Sequence, residues 1–399
     1  MLQLEEARER ILAAVPILPR EQVSLLDASQ RIVAADLTAP IDLPAFDNSA
    51  MDGYAVVAAD LQAASPKQPA RLKVTAQIPA GATRTAEIAP GQCARIFTGS
   101  PIPVGADAVV MQEDVVLDDD IASFVEPARP WENVRLRGED VKRGSVVMRA
   151  GERVTATTTA LLGALGISEV PAHRCPLVAM LATGNELRLP GQPLGPGQIY
   201  ESNRVALATL LANAGAVPRL LPLVPDTLDA SREALHRAFH ECDVVVTTGG
   251  VSVGEFDLVK EAFGQLGGKL EFWRVAIRPG KPFVFGTLGQ KLLFGLPGNP
   301  VSAFVTAALL VWPAVLRTQG TTNVALPSQY AIAKDTFINK TDRRHFMRVH
   351  IDSEGGASLS GLQASHALSS LARANALIDV PPSVVFERGA RVQVLRLAA

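Results

Sequence analysis

The chain has 399 residues, enough for two to three domains at roughly 150 residues each. Lys and Arg number 38 against 40 Asp and Glu, a net charge of −2, so bulk charge gives no support to a nucleic-acid protein. A hydrophobic share of 48% with 20% charged residues excludes disorder as the dominant state, and only 5% aromatics predicts an aliphatic core. Cys93, Cys175 and Cys242 are far apart and form no CxxC pair, which excludes a disulfide scaffold and a cysteine zinc site and fits a reducing compartment.

The first ten residues alternate acid and base without an apolar stretch, so no targeting signal is expected and a cytoplasmic location is. Glu5 to Val15 is amphipathic and is stopped by Pro16 and Pro19. Val23 to Asp36 alternates and suits a strand or a short helix. From Leu43 to Asp140 the texture becomes β-rich. Runs at 54–57, 71–76, 93–97 and 108–112 are separated by turn clusters such as Pro79-Ala-Gly-Ala and Pro101-Ile-Pro-Val-Gly. A helix is expected over Ala156 to Leu165.

From Cys175 the pattern is α/β. Leu177 to Ala182 is a continuous apolar strand fit for burial on both faces of a parallel sheet. Ser202-Asn203 is expected to cap a helix to Ala214, and Asp229 a helix from Ala230 to His240. Strands are expected at 217–224, 243–248, 269–277, 283–285 and 291–296, with a helix from Asp257 to Phe263. The longest apolar run, Val301 to Leu316, is too short for a bilayer span of about 20 residues and reads as a buried helix, with no membrane contact expected. This alternation predicts a doubly wound sheet with right-handed crossovers. After Thr321 the strand runs 330–333, 345–351, 376–380 and 391–397 predict a small barrel or sandwich. The expected domains are 1–44 with 141–172, a β-rich insert at 45–140, an α/β domain at 173–320 and a β domain at 321–399.

Chemistry concentrates in loops. Thr247-Thr-Gly-Gly-Val-Ser-Val-Gly-Glu-Phe-Asp257 lies at the C-terminal end of a predicted strand, the edge where open α/β sheets bind ligands. Gly249, Gly250 and Gly254 permit close backbone approach, Thr248 and Ser252 add hydroxyls, and a following helix N-terminus favours an anion. Glu186, Asp226 and Asp257 follow three successive strands, and such oxygen ligands suit Mg²⁺ when substrate phosphates complete the shell. Singly, Asp226 and Asp257 also fit the ordinary preference for acids at helix N-termini. Arg274, Arg278 and Lys281 form a cationic stretch suited to oxyanions, and Gly295-Leu-Pro-Gly-Asn-Pro300 is a strand–turn–helix with Pro300 in the first helical turn. Either loop is also consistent with plain turn chemistry. His345 and His366 are expected at the surface. These residues together point to an enzyme binding a phosphorylated organic ligand, and spacing does not name it.

Phe46-Asp-Asn-Ser-Ala-Met-Asp-Gly-Tyr-Ala55, Thr247-Thr-Gly-Gly-Val-Ser-Val-Gly-Glu255 and Gly295-Leu-Pro-Gly-Asn-Pro-Val-Ser-Ala303 together resemble the MoeA family of molybdopterin molybdenumtransferases, related to the E domains of gephyrin. The resemblance covers nearly the whole chain. It implies a MogA-like α/β domain, a β-rich insert, a dimerising domain and a C-terminal small β-barrel. It implies Mg²⁺-assisted insertion of molybdate into adenylylated molybdopterin with release of AMP, in a homodimer. Transient contact with a MogA-type protein and with molybdoenzyme maturation factors is a further expectation. By the same resemblance Glu186, Asp226 and Asp257 are cleft acids serving metal and substrate. Asp52, Thr98, Arg135 and Asp140 match functional positions of the insert, Pro297 and Pro300 the turn motif, and Arg348 and Ser370 positions that hold molybdate. Arg274 and Arg278 stand where the bacterial pattern usually has lysines. The rival readings are a MogA-like adenylyltransferase, which the insert and the C-terminal domain oppose, and a non-catalytic scaffold.

Overall fold

Residues 1–82, 86–250 and 258–397 are described by the computed structural model. They group into two units, one of residues 36–149 with 156–169, the other of residues 1–35, 150–155 and 170–399.

The first of these units is built on a six-stranded mixed sheet. Its strands are β1 (Gly53–Val56), β2 (Ala70–Ile78), β3 (Gln92–Ile96), β4 (Ala108–Met111), β5 (Val115–Asp118) and β6 (Ile121–Phe124), in the order β4-β1-β3-β2-β6-β5. The four expected runs are all present, and the hairpin β5–β6 is an addition. The core is small and mostly aliphatic, with Tyr54 packed edge-on against Phe124. The expected helix forms as α2 (Ala156–Ala164).

In the second unit the amphipathic start becomes α1 (Leu4–Ala14), which buries Leu4, Ala7 and Ile11 at helical spacing. A six-stranded sheet follows from β7 (Leu177–Ala182), β8 (Val217–Leu220), β9 (Val244–Thr248), β10 (Lys269–Arg274), β11 (Pro282–Leu288) and β12 (Lys291–Leu296), in the order β8-β7-β9-β12-β11-β10. Its first four strands in that order are parallel. The unbroken apolar run of β7 has the predicted reason. Val178 and Met180 enter one core with α3 (Asn203–Asn213), and Ala179 and Leu181 enter the other with α4 (Leu228–Glu241) and α5 (Leu258–Gln265).

Four local expectations are corrected. Ser202 makes no cap bond; the carboxylate of Glu201 accepts from Arg204 N at 2.7 Å instead. Asp229 lies inside the first turn of α4, where it pairs with Arg232, and Thr227, in extended geometry, is the cap. The 217–224 run ends as a strand at Leu220 and resumes only as a bridge from Val224 to Thr183, because Pro222 has no N–H to donate. The 269–277 run is broken: Ala276 N turns to Leu2 O, and Ile277–Arg278 then pairs with a strand of a different sheet.

The apolar helix α6 (Pro300–Thr318) is long and apolar enough to cross a membrane, yet 89% of its most apolar window is buried in this unit's core. It widens into a π-helical turn over Ala307–Val311. Pro313 supplies the cause, since it lacks an N–H and its ring crowds the carbonyl four residues earlier. Beyond it, β13 (Ser328–Ala333), β14 (Arg344–Ile351), β15 (Gly356–Leu359), β16 (Ala376–Val380) and β17 (Arg391–Arg396) close a five-stranded barrel in the order β14-β15-β13-β17-β16-β14.

Candidate functional site

The parallel strands β8, β7, β9 and β12 end on one rim of the sheet. Because β11 runs against both β12 and β10, the C-terminal end of β10 reaches the same rim. Backbone and side-chain bonds stitch the rim loops together. Thr183 N donates to Thr248 O at 3.2 Å, and Gly249 N to Leu296 O at 3.2 Å. Asn185 and Asp226 bond reciprocally, Asn185 N to Oδ2 of Asp226 at 3.1 Å and Asp226 N to Oδ1 of Asn185 at 3.3 Å. Asn203 donates to Gly298 O at 2.8 Å, fixing the Pro297–Pro300 turn to the start of α3.

Two glycines are required here. Gly249 has φ +82°, and a Cβ on it would lie 2.8 Å from Thr183 O and 3.1 Å from Thr183 Oγ1. At Gly184 a Cβ would come within 2.7 Å of the Glu186 carboxylate, which folds back over it. The hydroxyl of Thr183, between these loops, is buried without a hydrogen-bond partner among the described residues. Thr248 donates weakly to Leu181 O at 3.5 Å. Ser252, Gly254 and Asp257 lie outside the described residues.

Beside these loops opens a cavity of about 1030 Å³, bounded by Asn185, Arg188, Gln192, Arg204 and the segment Leu220–Pro225. Sequence reasoning missed all four of these side chains. Arg204 is committed to the buried carboxylate of Glu201 and to Leu221 O, so it shapes the wall. Arg188 donates to Leu187 O at 2.8 Å. No spacing pattern marks them, since a single strand-to-helix connection contributes Asn185, Arg188 and Gln192.

Glu186 and Asp226 are exposed on adjoining loops. Among the described residues no group of three His, Cys, Asp or Glu could hold a metal ion. Glu186 and Asp226 are oxygen donors of the type Mg²⁺ takes one or two at a time beside substrate phosphates. At the far end of the rim Arg274, Arg278 and Lys281 are exposed, and none forms an ion pair with a described residue.

Arg348 and Ser370 are brought together: Arg348 Nε donates to Ser370 Oγ at 3.0 Å, while Nη2 bonds Leu362 O and Ala364 O. Arg348 is fully buried, its Nη1 has no partner among the described residues, and burial pulls its pKa down to about 10. His345 is a correction, being 4% exposed rather than at the surface. Strand alternation puts it with Met347 and Val349 on the inner face of β14. Burial, then Arg278, Arg348 and Arg343, push its pKa down to about 4, and neither ring nitrogen has a partner among the described residues. His366 is exposed, as expected.

Three family models match the chain in succession: the MoeA N-terminal region (domain I and II) over 2–166, a probable molybdopterin binding domain over 179–317, and the MoeA C-terminal region (domain IV) over 330–397. A molybdopterin molybdenumtransferase of Haemophilus influenzae is 40% identical over 385 residues, covering 95% of this chain and 94% of that protein. One of Bacillus subtilis is 39% identical over 385 residues, covering 94% and 89%. A crystal structure of the molybdopterin biosynthesis MoeA protein of Pyrococcus horikoshii superposes with a TM-score of 0.87 at 32% identity, covering 99% of this chain and all of the other. The chain belongs to the MoeA family. It is a transferase of molybdenum cofactor biosynthesis, and the MogA-like and scaffold readings are not favoured, because the N-terminal and C-terminal MoeA regions flank the molybdopterin-binding domain.

The MoeA N-terminal region gathers its own polar cluster in the other unit. Asp52 accepts from Thr98 N and Thr98 Oγ1, both at 2.8 Å. These bonds, the backbone one first, hold its carboxyl below the usual carboxylate range, with Arg95 adding to the effect. Arg135 pairs in register with Asn48, and Gly99 N donates to Ser49 O, so the 46–55, 95–100 and 135–140 loops adjoin. Asp140 is exposed, its backbone N–H bonded to Leu43 O at 3.1 Å.

Proposed function

We propose that the chain inserts molybdate into adenylylated molybdopterin and releases AMP, with Mg²⁺ assistance. The supporting observation is the rim itself: the Gly249-Gly250 turn, the unpartnered Thr183 hydroxyl and the Glu186 and Asp226 carboxylates meet on hydrogen-bonded loops beside a cavity large enough for an organic ligand. Glu186 and Asp226, with Asp257, would hold the metal, whose contribution is neutralisation of phosphate charge. With the Gly249 N–H held by Leu296 O, the loop that carries Thr248, Ser252 and Gly254 is assigned to the phosphates. Arg274, Arg278 and Lys281 supply further cations, while Arg348 and Ser370, both buried and bonded to each other and to Leu362, Ala364 and Ala367 carbonyls, would shape the molybdate side from beneath and not donate to the anion directly. Pro297 and Pro300 fix the turn between β12 and α6.

Asp52, Thr98, Arg135 and Asp140 are assigned to substrate handling by the other unit. The enzyme would act as a cytoplasmic homodimer, with transient contact to a MogA-type protein and maturation factors. Catalysis on this reading comes from proximity and charge stabilisation rather than a nucleophilic side chain, with phosphoanhydride cleavage driving insertion. The deciding assay is AMP release from adenylylated molybdopterin with and without molybdate and Mg²⁺. Release that needs both, with active cofactor formed, is expected; tight binding without molybdate-dependent release overturns the proposal.

A further inference from the structure

We propose that Trp273 is the stacking platform for the adenine ring of the adenylyl group, an inference that rests on the substrate reading above. Trp273 is the penultimate residue of β10, the edge strand of the sheet, and so stands at the rim that carries the Gly249-Gly250 turn. It is 54% exposed. A large exposed indole on a sheet edge is unusual, because edges are normally guarded by charges, as Lys269, Glu271 and Arg274 guard the rest of this strand.

Lys260, in the first turn of α5, places its ammonium 5.8 Å from the indole centroid. The ring is therefore steadied by a cation that also favours a phosphate-bearing ligand. Arg274 follows directly in the chain. Aromatic ring, cations and the start of the helix that follows the glycine loop are the parts from which nucleotide sites are assembled.

The substrate has two ring systems joined by a pyrophosphate, and the rim has two ends. The cavity beside β7 and β8 is at one end and Trp273 at the other, with the glycine turn after β9 between them. From β7 to β10 is four strand spacings, about 19 Å. That is a span suited to an extended two-ring molecule with its phosphates over the turn. The allocation follows from polarity and release. The pterin edge is rich in donors and acceptors and suits the cavity, where Asn185, Arg188, Gln192 and backbone carbonyls are available. The adenine leaves as AMP at every turnover and suits an open platform that reads only a π-face.

The test titrates AMP and, separately, ribose 5-phosphate and neopterin into the full-length protein with Mg²⁺, using calorimetry. The expected result is that Trp273→Ala weakens AMP about tenfold, while Trp273→Phe retains most of the affinity. Ribose 5-phosphate and neopterin should bind alike to all three proteins, and circular dichroism melts should coincide. Unchanged AMP affinity in Trp273→Ala overturns the proposal. So does an equal loss for ribose 5-phosphate, a loss confined to neopterin, or no saturable AMP binding to the unsubstituted protein. Molybdate-dependent AMP release is measured in parallel. Its absence in the unsubstituted protein counts against the transferase chemistry, whereas the titrations decide the platform.

Discussion

Replacing Thr183 by valine should make the protein more stable and the enzyme slower. Thr183 directly follows β7 at the rim, its Oγ1 is buried, and among the described residues no hydrogen-bond partner reaches it. Leaving a hydroxyl desolvated and unbonded costs about 1–3 kcal/mol, and valine keeps the shape while removing that cost. Taking the low end, unfolding should require about 1 kcal/mol more, which raises the melting temperature by about 2–4 °C for a unit of this size. The same hydroxyl lies 3.1 Å from where Cβ atoms on Gly249 and Gly250 would sit, so it packs against the turn assigned to the substrate. An acceptor that reaches the hydroxyl only when substrate seats the turn is worth about 1 kcal/mol, so kcat/KM should fall about fivefold. Scanning calorimetry and the AMP-release assay read the two effects separately. A Thr183→Val protein that is less stable yet fully active would refute the reasoning, since it would mean the hydroxyl serves the fold.

Gly249→Ala should lower stability by about 2 kcal/mol, from a left-handed alanine and a contact with a backbone carbonyl that must yield, and should abolish most turnover; a thermal melt and the release assay check it. Glu186→Gln and Asp226→Asn should each reduce AMP release about a hundredfold, since removing one metal-serving carboxylate forfeits a few kcal/mol, with stability nearly unchanged because both residues are exposed. Asn at 226 keeps an acceptor for Asn185 N, so a Mg²⁺ titration of activity separates lost charge from lost shape. His345 is held neutral to about 4 when folded against 6.5 when unfolded, so the unfolded chain takes up the proton first as pH falls. Its contribution is complete above pH 6.5 and is lost progressively towards pH 4; by pH 5 about 2 kcal/mol should be gone. Urea midpoints of the unsubstituted protein and His345→Gln, compared at pH 7 and pH 5, should diverge accordingly; parallel shifts would contradict it.

The strands of the α/β sheet were legible because a strand buried on both faces has little choice but to be apolar, as Leu177 to Ala182 is. The helix caps were less so. Glu201 caps α3 through a carboxylate that reaches past Ser202, and Thr227 takes α4 two residues before the acid that advertised itself. Cap choice depends on backbone angles that composition does not encode. The pairing of Asp52 with Thr98 spans 46 residues, so no spacing rule finds it, and the family resemblance is what assigns both residues a role.

His345 shows why charge-dense stretches mislead. A strand run from His345 is expected and forms as Arg344–Ile351, but the cations of Arg343-Arg344-His345-Phe-Met-Arg348 put the histidine at the surface, where it is not. Alternation divides the run: Arg344 turns outward to Asp379 and Glu5, Arg348 is buried against Ser370, and His345 points with Met347 towards the barrel interior. Each arginine finds acceptors, so its burial is tolerable; the imidazole finds none and survives by remaining neutral. The same division governs Arg274 and Arg278. They are four residues apart in sequence, but the first ends the edge strand of the α/β sheet and the second pairs with β14 of the barrel. A shared grip on one anion therefore depends on how sheet and barrel are held together, through Val275 N to Lys281 O and Ala276 N to Leu2 O, and not on the spacing of two cations in a loop. Weakening that junction should impair the two arginines together, whereas substituting either one alone leaves the other in place on its own sheet.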